Sequence, residues 1–206
     1  MPLTANVVPN TPIEASWGND IRDRTVQRFT SAAERASAWT TPPTGSLSVL
    51  DSLPGVVWIY AAGAWKLTAP RGQLSVASVT AGMTPTTSVA DVPGVTVTFS
   101  GVANHVYRYT LAAHVVSSAA GDIVRIQLTN PSNTAVGTVA DFPVAIANNA
   151  QALTQAFYET PGADASLTRK IRVVRIGGSG SVQVFSDVNR PAVLTVEEIH
   201  VGTSGG

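Results

Sequence analysis

The chain has 206 residues, 13% of them charged and 44% hydrophobic, with a formal net charge of zero and no cysteine. That balance leaves no electrostatic footprint for nucleic acid or an anionic membrane surface. The missing cysteine excludes disulfides, thiolate catalysis and cysteine-based metal sites, and suits a protein that persists outside a cell without redox dependence. In chain order, residues 1–10 hold Val7, Val8 and Pro9 without a period and read as an extended arm. Thr11 and Glu14 then make a capping box, with Pro12 at the first helical position. Ile13, Trp17 and Ile21 recur every four residues on one face, so a helix is expected over 12–29, with Gly18 costing it about 1 kcal/mol. Such a helix at the start of a β-patterned chain is either a docking element or a surface helix packed on its own domain.

Ser31 and Glu34 form a second capping box ahead of Ala32, Ala33, Ala36 and Ala38, which favour a short helix ended by Pro42 and Pro43. Val26, Phe29, Ala33 and Ala36 follow a three-four spacing that would make a brief helical seam between chains. Leu47 to Leu50, Val56 to Tyr60 and Ala64 to Leu67 read as strands, with Trp58, Tyr60 and Trp65 as an aromatic mini-core rather than a sugar platform. Ala69 to Gly72 reads as a linker. Strand patterns follow at Leu74 to Thr80, Val95 to Phe99, His105 to Val116, Ile123 to Thr129, Leu153 to Tyr158, Leu167 to Ile176, Val182 to Phe185 and Val193 to Val201. Turn residues such as Pro93-Gly94, Gly121-Asp122, Asn130-Pro131 and Gly177-Gly178 separate them. About eight strands with polar turns and no helical period predict a jelly-roll β-sandwich. Tyr107, Tyr109, Leu111, Ala113 and Val115 share one side of their strand. Leu167 to Ile176 carries apolar groups on both sides, as a central strand or one facing a neighbouring subunit would. Val144 to Ile146 fits no element.

Ala15 to Asp23, reading Ala-Ser-Trp-Gly-Asn-Asp-Ile-Arg-Asp, resembles the N-terminal helix of tail-associated virion proteins of tailed phages, especially those of actinobacteria. Phe29-Thr-Ser-Ala-Ala-Glu-Arg-Ala36, Pro43-Thr-Gly45 and Val57-Trp-Ile-Tyr-Ala-Ala-Gly-Ala-Trp65 resemble small modules of minor tail proteins and fibres. Together these motifs cover about the first third of the chain. Asp91 to Phe99, Tyr107-Arg-Tyr109, Gly121 to Leu128, Gly178-Ser-Gly180 and Leu194 to Ile199 resemble, in pattern and order, trimeric phage jelly rolls of tumour-necrosis-factor or complement-C1q outline. The resemblance implies an attachment region at 1–40, a small β module at 41–72 and a jelly roll at 73–206. It implies virion attachment through Ile13, Trp17, Asn19, Ile21, Arg22 and Asp23, and a homotrimer with Phe29, Tyr107 and Tyr109 at its interface.

Catalytic motifs are absent from the sequence. His105 and His114 fall on opposite faces of one strand without a carboxylate nearby in sequence, and Glu198 with His200 gives too few ligands for zinc. These residues read as surface polar groups. Asp91, Asp122, Asp141, Asp164 and Asp187 fall where turn-formers belong and not as a glycosidase pair. There is no nucleophile elbow, phosphate loop or dinucleotide fingerprint. No apolar run approaches the ~18 residues of a membrane span, and no signal peptide is expected. The combined expectation is a non-enzymatic structural virion protein without cofactor or metal, made in a host cytoplasm. Its partners would be itself, other tail or capsid proteins and, for the distal jelly roll, a host-surface glycan. The alternatives are a capsid decoration protein or head fibre, and a polysaccharide-degrading enzyme.

Overall fold

The computed structural model describes residues 26–200, which fall into two units meeting in sequence at Thr68 and Ala69. The first unit holds β1 (Val26–Phe29), α1 (Ala32–Ala38), β2 (Leu47–Leu50), β3 (Leu53–Ala61) and β4 (Ala64–Leu67). They form one sheet in the order β1-β2-β3-β4, with β1 parallel to β2 and the other pairs antiparallel. Most of the helix expected over 12–29 lies outside the described residues, but its last four positions are strand. Val26 and Phe29 suit a pleated surface, and the pairing of Val26–Phe29 with Leu47–Leu50 overrides any helical pattern upstream. The helical seam is therefore corrected: Val26 and Phe29 belong to a strand, and only Ala33 and Ala36 to a helix.

The cap of α1 forms with one change. Ser31 Oγ accepts from the Glu34 amide at 3.2 Å, while Glu34 reaches one residue further back than expected, accepting the amide and hydroxyl of Thr30 at 2.6 and 2.5 Å. From α1, Arg35 is buried with its guanidinium 4.9 Å from the Trp58 ring centre and 4.5 Å from that of Trp65, and it donates to Ser48 Oγ at 3.0 Å. Tyr60 and Trp39 complete the cluster, 5.4 and 5.6 Å from the Trp65 ring. The small core is thus an arginine between two indoles, with Trp58 buried and Tyr60 and Trp65 half-buried.

The second unit holds β5 (Gly72–Val79), β6 (Ala90–Gly101), β7 (Val106–Ser117), β8 (Ile123–Thr129), β9 (Ala135–Pro143), β10 (Gln151–Glu159), β11 (Ala165–Gly177), β12 (Val182–Phe185) and β13 (Ala192–His200). One sheet runs β10-β7-β13-β5, with β12 also on β7, and the other runs β6-β11-β8-β9; every pair is antiparallel. Non-consecutive neighbours in two facing sheets make this a jelly-roll β-sandwich. Alternation places Val95, Val97 and Phe99, Tyr107 to Val115 at odd positions, Val124 to Leu128 at even positions, Ile171, Val173, Leu194 and Val196 in one core. The two-sided character of Leu167 to Ile176 has the central-strand explanation: β11 lies between β6 and β8.

Strand β9 is the one element of this unit that the sequence reading lacks. Its Ala135, Gly137 and Ala140 carry little strand propensity, and it lies at a sheet edge, held by the antiparallel hairpin it makes with β8. Gly137 has φ +71°, and a Cβ there would lie 2.5 Å from the Tyr158 carbonyl oxygen, so only glycine lets β9 come this close to β10. We expect Gly137→Ala to lower stability by about 2 kcal/mol or more, from both backbone strain and the clash. Gly121→Ala shares the strain (φ +81°) but meets open space, and should cost about 1 kcal/mol by chemical denaturation.

Candidate functional site

Two ionic clusters lie inside the jelly roll, each built on one of two adjacent inward tyrosines of β7. Tyr107 accepts from the Val102 amide at 2.7 Å and from Arg71 Nη2 at 2.8 Å. Arg71 also donates through Nη1 to the Ser100 carbonyl at 2.9 Å, and through Nε and its own amide to Glu198 Oε2 at 2.5 and 3.1 Å. The other Glu198 oxygen meets Nδ1 of His105. Burial alone would raise the Glu198 pKa, but hydrogen bonds from His105 and Arg71 and the charge of Arg71 outweigh it and hold the carboxyl below its usual range.

Tyr109 donates to Glu159 Oε2 at 2.6 Å, and Arg169 grips the same carboxylate with Nε at 2.9 Å and with Nη2. This cluster joins β7, β10 and β11, hence both sheets. Burial and the Glu159 carboxylate push the Tyr109 hydroxyl far above its ordinary pKa. Phe99 packs beside both tyrosines, its ring centre 5.0 Å from Tyr107 and 6.1 Å from Tyr109. Tyr107 and Tyr109 are fully buried within one chain. Their expected place at an oligomer interface is therefore corrected: no side-chain surface is left for a neighbour. Phe29 is half-buried against Trp39, its ring centre 6.4 Å away. Ile13, Trp17, Asn19, Ile21, Arg22 and Asp23 lie outside the described residues.

The remaining candidates separate in space. His105 is a buried partner of Glu198, which corrects its reading as a surface group; His114 points to the opposite side of β7. Asp91, also read as a turn residue, sits in β6 and binds Lys170 at 2.6 Å and Arg172 at 2.8 Å, while Asp141 in β9 binds Arg125 at 2.7 and 2.8 Å. Asp164 caps the Ala103 amide at 2.8 Å, and Asp187 accepts two amides of its own turn. Asp122 is buried and accepts from Ser117 Oγ and from the Ser179 and Gly180 amides at 2.8 and 3.1 Å. A Cβ on Gly178 or Gly180 would overlap that carboxylate, so the Gly-Ser-Gly turn exists to let Asp122 in. No group of three or more metal-ligating side chains occurs among the described residues.

The outer faces of the two sheets differ in charge. On β6-β11-β8-β9 the outward residues include Asp91, Lys170, Arg172, Arg125 and Asp141. On β10-β7-β13-β5 successive rungs run Tyr158/Arg108/Glu197/Gln73, then Ala156/Thr110/Thr195/Val76, then Thr154/Ala112/Val193/Ser78. The charged residues of these three rungs are Arg108 and Glu197, which bind each other at 2.7 Å, and the small central residues leave Val76 (53% exposed) and Tyr158 (51%) uncovered.

No family model matches the chain, and no curated protein matches it. Among solved structures it is similar to a family two carbohydrate esterase from Cellvibrio japonicus, at 14% identity and TM-score 0.26, over 60% of this chain and 35% of that one. It is also similar to the VP2 subviral particle of infectious bursal disease virus (14% identity, TM-score 0.30, 77% of this chain and 43% of that one) and to the Gx strain of that virus (13%, 0.32, 80% and 44%). The chain spans less than half the length of each of these three.

The buried acids set two expectations. Arg169→Met leaves Glu159 without its cation and should cost about 3 kcal/mol or more, measured by urea unfolding at neutral pH. Asp122 is held below the ordinary aspartate range by the Ser117 hydroxyl and the Ser179 and Gly180 amides, against a burial effect that raises it. A depressed carboxylate contributes stability above its unfolded pKa and loses it as pH falls through the folded one. Stability of the wild type should therefore fall more steeply below about pH 4 than that of Asp122→Asn.

Proposed function

We propose that this chain is a structural virion protein of a tailed phage, a minor tail or fibre protein that self-associates, as a homotrimer, through its jelly roll. The observation that carries the self-association is the outer face of β10-β7-β13-β5, mostly uncharged across its rungs, with the Arg108–Glu197 pair neutralised within the sheet. Burying such a face desolvates little charge and gains apolar contact, whereas the opposite face would have to strip water from Asp91, Lys170, Arg172, Arg125 and Asp141. The number three, and attachment by the N-terminal stretch around Trp17, rest on the resemblance to phage tail modules and trimeric jelly rolls. A non-enzymatic role fits the commitment of Asp91, Asp122, Asp141, Glu159 and Glu198 to internal partners, which leaves no convergent acid pair among these residues.

Two measurements test this reading. Light scattering of the full chain at micromolar concentration should give a mass of three chains, and a soluble monomer would overturn the assembly. Electron microscopy of virions carrying a tagged copy should show density on the tail. Density on the capsid would assign the protein to the head surface instead, and untagged particles would remove it from the virion. Within this reading Trp17→Ala, at the proposed anchor, should weaken incorporation by about 2 kcal/mol or more, and particles with normal occupancy would count against the anchor.

A further inference from the structure

The Arg71 cluster ties together the two ends of the second unit. Arg71 lies just before β5, the first strand, and Glu198 near the end of β13, the last, 127 residues further on. Three of the Arg71 donors leave its guanidinium for three strands of both sheets: β13 through Glu198, β6 through the Ser100 carbonyl and β7 through the Tyr107 hydroxyl. Its backbone amide makes a fourth bond, again to Glu198. The Glu198 side chain is fully shielded from solvent and those of Arg71 and His105 nearly so. A surface ion pair that merely satisfied two charges would need none of this burial.

We propose that Arg71, Glu198 and His105 form an acid-released latch that fastens the lead-in of the jelly roll to its last strand. Closed, the latch needs the Glu198 carboxylate, because it is the acceptor shared by an arginine and a histidine. Once Glu198 takes a proton, the Arg71 guanidinium and the His105 ring face each other in a buried site without an anion. The groups around them offer no substitute: β7 presents the neutral Tyr107 hydroxyl and β6 the Ser100 carbonyl. Glu159, the acid of the neighbouring cluster, is held by Arg169 and Tyr109, and Glu197 points out of the opposite side of β13 to Arg108. The direction follows from linkage: a depressed carboxylate holds the latch above its unfolded pKa, in the ordinary glutamate range, and releases it as pH falls through the folded one. Release loosens residues 69–73, while β5 beyond them stays paired to β13, from Ser75 opposite Val196 to Val79 opposite Ala192.

The test is hydrogen exchange of the full chain from neutral pH to about pH 3, corrected for intrinsic rates and referred to the Ile126 amide in the middle of β8. The Arg71 amide, which donates to Glu198, should lose at least about tenfold of its protection while Ile126 keeps its own. Loss at Arg71 in step with Ile126 would mean general unfolding and overturn the latch, as would unchanged protection at Arg71. Glu198→Gln should release Arg71 already at neutral pH with Ile126 still protected, and full protection of Arg71 in that variant contradicts the proposal. If Glu198→Gln does not fold, the wild-type pH series decides alone.

Discussion

Charge is scarce in this chain, and ion pairing takes up most of what the described residues hold. Arg28 meets Asp51, Arg71 meets Glu198, Arg108 meets Glu197, Arg125 meets Asp141, Arg169 meets Glu159, Lys170 and Arg172 share Asp91, and Arg190 meets Asp187. Two of these pairs are buried: Arg169–Glu159 joins β11 to β10 across the sandwich, and Arg71, paired with Glu198 of β13, reaches the other sheet through the Ser100 carbonyl; the exposed pairs contribute little individually. With charge satisfied internally, the outer surface of one sheet is left almost neutral, and a neutral face costs little to desolvate in a symmetric contact.

The inward tyrosines of β7 give the sandwich its polar anchors. A tyrosine buries a large apolar ring and demands a partner for its hydroxyl. Tyr107 meets that demand with Arg71 from the stretch before β5 and Tyr109 with Glu159 of β10, itself gripped by Arg169 of β11, so the apolar core and the ionic clusters share the same two rings. At the other end of β7, Asp122 pins the Gly178-Ser-Gly180 turn through Ser117. A buried carboxylate whose bonds are all made fixes where a loop must lie, because an unpaired one would be costly.

Much of the jelly roll is legible in the alternation of the sequence. Ile123–Thr129 and Val182–Phe185 fall where the pattern puts them, since β-branched residues alternate cleanly and turn residues bound them. The pattern in β7 also separates Tyr107, Tyr109 and Leu111 from Arg108 and Thr110. What alternation cannot carry is the identity of the partner: an inward side and a side meeting another chain look alike, which is why Tyr107 and Tyr109 were expected at an interface. The ionic clusters were illegible for a different reason. Glu198 lies 93 residues from His105, and no local spacing announces such a pairing. Val26–Phe29 takes its state from pairing with the more distant β2, and β9 from its hairpin with β8, rather than from their own propensity.

The central claim is that the outer face of β10-β7-β13-β5, and not its counterpart, meets other copies of the chain. Because the sequence has no cysteine, a single introduced one carries a unique spin label. Ser78→Cys places it in the third rung of the neutral face, and Thr98→Cys on the outer side of β6 in the opposite sheet, both at exposed positions. In the full chain at micromolar concentration, the label at position 78 should be immobilised and shielded from a soluble relaxing agent while the label at position 98 stays mobile. A mobile, accessible label at 78, or immobilisation at 98 alone, would contradict the account.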